Sequence, residues 1–121
     1  MNSQTVERLK RLEAWFYRTP TGREPVREWL RSLPVVDRKI VGTDIKAVEF
    51  GWPLGRPLVG SIGRGGLWEV RSSLTNGRIA RVLFTIEGAR MVLLHGFIKK
   101  TQRTSPADIT LAVTRMKRHS P

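Results

Sequence analysis

The sequence predicts an α+β fold, in which a small antiparallel sheet carries a helical hairpin on one face and is followed by a C-terminal helix. Three observations predict it: two adjacent helical patterns, a later stretch of alternating strands joined by tight turns, and a capped amphipathic segment at the end. The 121 residues suit a single domain spanning 1–121. We expect residues 1–11 to be partly frayed, because they are polar and charged.

The first half of the chain predicts one strand and two helices. Residues 12–18 contain three aromatic side chains, which is typical of a strand. Residues 24–33 predict a helix, because apolar residues recur there at helical spacing, and Pro34 ends it. A second helix is predicted over 35–50 and follows almost directly, so the two helices should form a hairpin.

Residues 52–66 predict a surface loop, because prolines and glycines recur throughout them. The segment contains neither of the glycine-rich patterns that cradle phosphates, GxxxxGK[ST] or GxGxxG between a strand and a helix. Arg56 and Arg64 are nevertheless candidates to contact a phosphate backbone from this loop.

Residues 67–104 predict a three-stranded meander. Apolar and polar side chains alternate in 67–74, and Asn76-Gly77 predicts a type I′ turn into the next strand. Residues 91–98 are apolar on both faces, which is typical of a central strand. We expect the helices to cover one face of this sheet and the other face to be open and basic.

A last helix is predicted over 105–119. Ser105 can cap it, with Pro106 at its first position and Asp108 completing a Ser-x-x-Asp capping box. One stripe of the helix is apolar and is formed by Ile109, Ala112, Val113 and Met116.

The composition excludes several classes of protein. The chain has no cysteine, which excludes disulfide scaffolds, thiolate nucleophiles and cysteine-ligated zinc. Its longest apolar run is too short to span a membrane, and its N-terminus has no signal-peptide core, so we expect a cytoplasmic protein. No carboxylate cluster joins the two histidines, His95 and His119, and we expect neither a metal nor another cofactor. His95 is interpreted as a satisfied core residue, although a Ser-His-Asp triad stays open.

The net charge of +12 favours a polyanionic partner. Residues 51–104 hold nine basic and two acidic residues, whereas residues 1–50 hold ten basic and seven acidic ones. The excess therefore lies on the meander and on the loop before it. A solvated basic surface that only aids solubility is the alternative interpretation.

The basic residues of the meander are suited to phosphodiester chemistry. Arg71 and Arg81 lie on neighbouring strands, and if both project from the open face they form a two-pronged phosphate clamp. Lys99 and Lys100 end the next strand, where a lysine among other cations can transfer protons. Glu69 is either a general base or the ion-pair partner of an arginine.

RNA suits such a site better than DNA does. The ribose 2′-OH is an internal nucleophile, so RNA can be cleaved without a metal or a covalent intermediate. Further contacts with the RNA backbone are expected from Arg56, Arg64, Arg78 and Arg103.

Three successive segments of the chain resemble a known family. LWEVRSSL, RIARVLF and MVLLHGFIKKTQRTSP resemble the phage-derived, HigB-like branch of the RelE/ParE superfamily of bacterial toxins, and the string HGFIKKTQRTSP is the most specific part. FYRTPTGREPVREWL fits the same branch, so the resemblance covers most of residues 12–118.

The resemblance implies a RelE-like fold and the toxin of a type II toxin-antitoxin system. Such a toxin is an mRNA interferase, an endoribonuclease that cuts messenger RNA within the ribosome and so inhibits translation and growth. Its strand arginines correspond to Arg71 and Arg81, and its basic residues after the last strand to Lys99 and Lys100. Several members of the family use a tyrosine or a histidine near the C-terminal end of the site, whereas the only tyrosine here is Tyr17, so the resemblance assigns no general acid or base.

The resemblance also implies partners. These are a HigA-like helix-turn-helix antitoxin, messenger RNA and ribosomal RNA, with oligomers formed only through the antitoxin complex. Two alternatives use the same scaffold: a ParE-like inhibitor of DNA gyrase, and a non-catalytic RNA-binding or regulatory partner of the antitoxin.

Overall fold

A computed structural model describes residues 9–99 and 103–119. The described chain has the predicted α+β architecture, with five strands in one sheet and three helices. The strands are β1 (Glu13–Phe16), β2 (Val59–Gly63), β3 (Leu67–Ser73), β4 (Ile79–Glu87) and β5 (Arg90–Lys99). The helices are α1 (Pro25–Ser32), α2 (Val35–Gly51) and α3 (Pro106–His119). The fraying expected for residues 1–11 falls mostly on residues outside the described ranges.

The sheet is mixed, whereas the sequence predicted an antiparallel one. Its strand order is β1-β5-β4-β3-β2, and the four strands from β2 to β5 pair with one another in antiparallel fashion. β1 pairs in parallel with β5, from Glu13 opposite Arg90 to Phe16 opposite Leu93. This pairing places β5 inside the sheet, as its two apolar faces predicted.

The prediction of a loop over 52–66 was wrong for five of its residues. Val59–Gly63 form β2, an edge strand whose Val59 lies opposite Val70 of β3. Two glycines and a serine in this strand obscure the alternation by which strands are recognised. Backbone pairing with β3 therefore decides its conformation, and a register shift between Ser61 and Gly63 accompanies it.

The tight turn of the meander was predicted correctly. Asn76 and Gly77 have φ angles of 61° and 70°, and the positive φ at both central positions is what a type I′ turn requires. The turn is closed by a hydrogen bond that the amide of Arg78 donates to the carbonyl of Thr75.

The helical hairpin of α1 and α2 covers one face of the sheet. Val26 of α1 and Val41 and Val48 of α2 are fully buried, in the same cluster as Val70 and Phe84 of the sheet. Burial of these apolar stripes is the main force that holds the hairpin to the sheet.

The opposite face is not left open, which corrects the prediction. The apolar stripe of α3 packs on it, with Ala112 completely buried. The sheet residues in this second cluster are Leu67, Leu83, Val92 and Leu94. Arg115 of α3 donates a 2.8 Å hydrogen bond to the carbonyl of Leu94. The helix covers only the apolar part of this face and leaves a polar part beside its N-terminus.

Among residues 9–99 and 103–119, no helix combines the length and the apolar character that a membrane span needs.

Candidate functional site

The sheet register brings charged residues together beside the N-terminus of α3. Arg71 of β3 lies opposite Arg81 of β4, and Lys99 of β5 lies opposite Ile79 of β4. Because side chains alternate across a strand, these residues share the face on which Leu67 and Leu83 meet α3. We call this group the polar patch, and it consists of Glu69, Arg71, Arg81, His95, Lys99, Thr104 and Asp108.

Glu69 lies at the buried centre of the polar patch. Its Oε1 accepts a 2.7 Å hydrogen bond from Nη1 of Arg81, and its Oε2 accepts a 2.7 Å hydrogen bond from the hydroxyl of Thr104. Glu69 is 6% exposed and Arg81 is 1% exposed. Two donors therefore hold the two carboxylate oxygens in an environment that is almost free of water.

The predicted two-pronged clamp is not present at the surface. Arg81 is buried against Glu69, so it cannot contact a phosphate in this conformation. Arg71 does reach the surface: its side chain is 21% exposed, and its Nε lies 3.9 Å from Oε1 of Glu69. Of the two roles considered for Glu69, ion pairing with an arginine is the one that the geometry supports. The carboxylate orients the arginines and is poorly placed to take a proton from a substrate.

Arg56, which comes from the segment before β2, lies next to the polar patch. A Cβ atom built on Gly60 would lie 3.7 Å from Nη2 of Arg56 and 3.9 Å from Cγ of Glu69. The exposed Arg56 guanidinium thus lies across β2 from the buried carboxylate. This proximity depends on the pairing of β2 with β3, so no local pattern along the chain indicates it.

Asp108 of α3 holds the other end of the polar patch together. Its carboxylate accepts hydrogen bonds from His95 Nε2 at 2.7 Å and from Lys99 Nζ and Ser105 Oγ at 2.6 Å each. Partial burial by itself would raise the pKa of Asp108. The hydrogen bonds from Lys99, Ser105 and His95 outweigh that effect and lower the pKa from 3.8 to about 2. Asp108 is therefore an anion at every physiological pH.

Nε2 of His95 is hydrogen-bonded, but the prediction of a satisfied core residue was wrong, because the side chain lies at the edge of the core. Its side chain is 17% exposed, it is paired with Asp108, and its ring stacks on Phe97 with centroids 5.2 Å apart. The Lys99 ammonium lies 5.1 Å from the centroid of the same Phe97 ring. The Ser-x-x-Asp cap predicted the position of Asp108 on α3, but no local pattern linked that carboxylate to a histidine on β5.

Two of the predicted RNA contacts lie away from the polar patch. Arg78 pairs with Asp37 of α2, through Nη1 to Oδ2 at 2.8 Å and Nη2 to Oδ1 at 3.0 Å, and so joins the sheet to the helical hairpin. This hydrogen-bonded pair lowers the pKa of Asp37 despite its burial. Arg64 occupies the turn between β2 and β3, with φ of 56°, beside Ile109 and Lys117 of α3.

The remaining two predicted residues follow β5. Arg103 is exposed and directly precedes Thr104, which bonds to Glu69. Lys100 lies outside the described residues.

Within the described parts of the chain, no three histidine or carboxylate residues are grouped in a way that could hold a metal ion. The side chains of the polar patch can supply electrostatic stabilisation, from arginine and lysine, and proton transfer, from histidine.

The sequence matches a known protein family. The family model described as phage-derived protein Gp49-like (DUF891) matches residues 28–117, which is about three-quarters of the chain. The match includes every described member of the polar patch. No curated protein matches the sequence significantly.

Proposed function

We propose that this chain, which belongs to the phage-derived Gp49-like family, is a toxin that cleaves messenger RNA. The family is RelE-like and its members occur in toxin-antitoxin systems, so membership implies an antitoxin partner. The finer proposal is an endoribonuclease that acts on ribosome-bound messenger RNA, uses the ribose 2′-OH as nucleophile and inhibits translation and growth.

The main support is the grouping of three partly exposed cations on one face of the sheet. Arg56 and Arg71 lie near the buried carboxylate of Glu69, and Lys99 bonds to the partly buried carboxylate of Asp108. Negative charge builds on the non-bridging oxygens when a phosphodiester is attacked, and preorganised cations stabilise it. The chain's net charge of +12 would also attract RNA over long range.

The carboxylates of Glu69 and Asp108 support this role, because they hold neighbouring basic side chains in place before substrate binds. Glu69 holds Arg81 and lies next to Arg71, while Asp108 holds Lys99. A phosphate oxygen can compete with a carboxylate for Lys99 and for the exposed side of Arg71. Arg81 has a different role in this proposal, because its buried guanidinium neutralises the charge of the Glu69 carboxylate.

The antitoxin proposed as partner is a HigA-like helix-turn-helix protein. An acidic or extended segment that covered the polar patch would block access of RNA to the cations. Messenger RNA and ribosomal RNA are the proposed nucleic-acid partners, and contacts from Arg64 and Arg103 would extend the binding surface beyond the polar patch.

The test is induction of the chain in a bacterial host without antitoxin, followed by mapping of messenger RNA 5′ ends. Wild type should arrest growth and produce new 5′ ends. Arg71→Ala and Lys99→Ala should each lower cleavage about 10²–10³-fold, as loss of a charged transition-state contact does elsewhere, and should restore growth.

Matched controls come from the helical hairpin. Arg31→Ala and Lys39→Ala remove the same charges from exposed positions on α1 and α2 and should stay toxic. Arg81→Ala is unsuitable as the decisive variant, because loss of one partner from a buried ion pair destabilises a fold by about 3–5 kcal/mol. Its loss of toxicity would not separate chemistry from unfolding.

Two results would contradict the proposal. One is full toxicity of the Arg71→Ala and Lys99→Ala variants at wild-type expression. The other is growth arrest with intact messenger RNA and inhibited gyrase supercoiling in a purified assay, which would assign the chain to the gyrase-inhibiting alternative.

A further inference from the structure

We propose that His95 is the general base of the cleavage reaction and that Asp108 is the residue that positions it. This inference rests on the proposed ribonuclease function and adds to it a general base, which the family resemblance does not assign. The observation that carries it is the contact between Nε2 of His95 and Oδ1 of Asp108, at 2.7 Å, inside the polar patch.

The contact with Asp108 fixes which nitrogen of His95 can act. Asp108 is ionised, so it accepts a hydrogen bond and Nε2 must carry the proton. In a neutral imidazole the lone pair is then on Nδ1. Within the described residues, Nδ1 has no hydrogen-bond partner. The stack on Phe97 holds the ring plane, so the basic nitrogen is oriented without being used by the protein itself.

The other titratable residues of the polar patch are less suited to this step. Both oxygens of Glu69 accept hydrogen bonds, and Glu69 is only 6% exposed. Arginine stays protonated in proteins and cannot accept a proton. Lys99 donates a hydrogen bond to Asp108, so its ammonium is placed to stabilise a phosphate.

His95 also lies at the correct place on the sheet. It is opposite Leu83 of β4, two residues along from Arg81, and it is four residues before Lys99 on its own strand. His95 and Lys99 contact the two oxygens of the same Asp108 carboxylate, so a phosphate bound by Lys99 would have its ribose close to the imidazole. Among the described residues, the charged groups near His95 are Asp108 and Arg115 from α3 and Lys99 from β5, and the ion pair of Arg81 with Glu69 lies beyond Leu83.

The proposed step is an in-line transesterification. Nδ1 of His95 takes the proton of the ribose 2′-OH while the 2′-oxygen forms a bond to the adjacent phosphorus. The bond from phosphorus to the 5′-oxygen breaks, and that oxygen takes a proton from water. The imidazolium of His95 then gives its proton to the hydroxide that remains, which restores the neutral base. The products are a 2′,3′-cyclic phosphate and a 5′-hydroxyl, and no oxidant, reductant or cofactor takes part.

The experiment compares cleavage by purified wild-type protein and by His95→Gln over pH 5–8. The substrate is messenger RNA, supplied both free and on ribosomes. Wild-type cleavage should fall at the acidic end, where protonation removes the lone pair of the imidazole. His95→Gln should lower the cleavage rate about 10²–10⁴-fold. Its remaining activity should no longer fall at the acidic end of the range, and it should bind RNA as tightly as wild type does.

Three further variants separate catalysis from folding. His119→Gln removes the other histidine, which pairs with Glu87, and should keep both the rate and the pH profile. Asp108→Asn should lower the rate at saturating RNA more than it weakens RNA binding. His95→Ala should regain activity when imidazole is added, a result that a purely structural role would not give.

The inference and the proposed function fail in different ways. Wild type that cleaves RNA at a rate independent of pH, or a folded His95→Gln protein with wild-type activity, would overturn the role of His95 and leave the ribonuclease function standing. Wild type that cleaves neither free nor ribosome-bound RNA would overturn both.

Discussion

The hydroxyl of Thr104 donates a 2.7 Å hydrogen bond to Oε2 of Glu69, although the two residues are 35 positions apart in the sequence. Thr104 directly precedes Ser105, whose hydroxyl bonds to Asp108. Two consecutive side chains thus contact the two carboxylates of the polar patch. The start of α3 is thereby held to β3 at the point where the cations gather.

Thr104→Val should destabilise the fold. Valine has nearly the shape of threonine, but it leaves Oε2 of a 6% exposed glutamate without that donor. The expected loss is about 1–3 kcal/mol in the free energy of unfolding, measured by urea denaturation.

A matched change on the same helix provides the control for Thr104. Thr110→Val replaces an exposed threonine of α3 and should change stability by less than about 0.5 kcal/mol. Equal denaturation midpoints for Thr104→Val and wild type would show that the bond to Glu69 contributes nothing to stability.

Protonation of Asp108 should make the free energy of unfolding depend on pH under acidic conditions. Its pKa in the fold is about 2, below the value of 3.8 for an unperturbed aspartate. Its stabilising contribution is therefore complete above about pH 4 and is lost as the pH falls towards 2. The free energy of unfolding of wild type should fall by on the order of 1–2 kcal/mol more than that of Asp108→Asn over this range.

The comparison for Asp108 is a second aspartate variant. Asp44 of α2 has no ion pair or side-chain hydrogen bond within the described residues, so Asp44→Asn should keep the acid response of wild type. The free energy of unfolding is measured by chemical denaturation at each pH. Parallel curves of this quantity against pH for wild type and Asp108→Asn would contradict the ion pairs and hydrogen bonds described for Asp108.

Gly96 of β5 should not tolerate a side chain, because α1 packs directly on it. A Cβ atom there would lie 2.5 Å from Cζ3 and 2.8 Å from Cδ2 of the Trp29 ring. Gly96→Ala should therefore push α1 off the sheet and cost about 1–3 kcal/mol, seen as a lower thermal midpoint.

Gly42 provides the opposite case on α2. No atom lies within 4 Å of a Cβ built on Gly42, so Gly42→Ala should stabilise the helix by about 0.5–1 kcal/mol.

A Gly96→Ala protein as stable as wild type would mean that α1 lies further from β5 than the structure places it.

Most elements of the fold could be predicted from sequence because each depends on near neighbours. The helix observed over Pro25–Ser32 was expected at 24–33, and Val35–Gly51 was expected at 35–50. The type I′ turn and the cap of α3 were likewise encoded by two to four adjacent residues. β2 was missed because its glycines carry no local signal and only its pairing with β3 makes it a strand.

By itself, the sequence determined that the basic excess lies in the second half of the chain and that Asp108 begins the last helix. Only the tertiary structure decided which charged side chains form ion pairs within the protein. Arg81 is buried on Glu69, and Arg78 is paired with Asp37 from 41 positions away. His95 meets Asp108 because α3 packs on the second face of the sheet. The physical reason is that charge and capping are local properties of the chain, whereas burial and ion pairing depend on which distant segments the fold brings within a few ångströms.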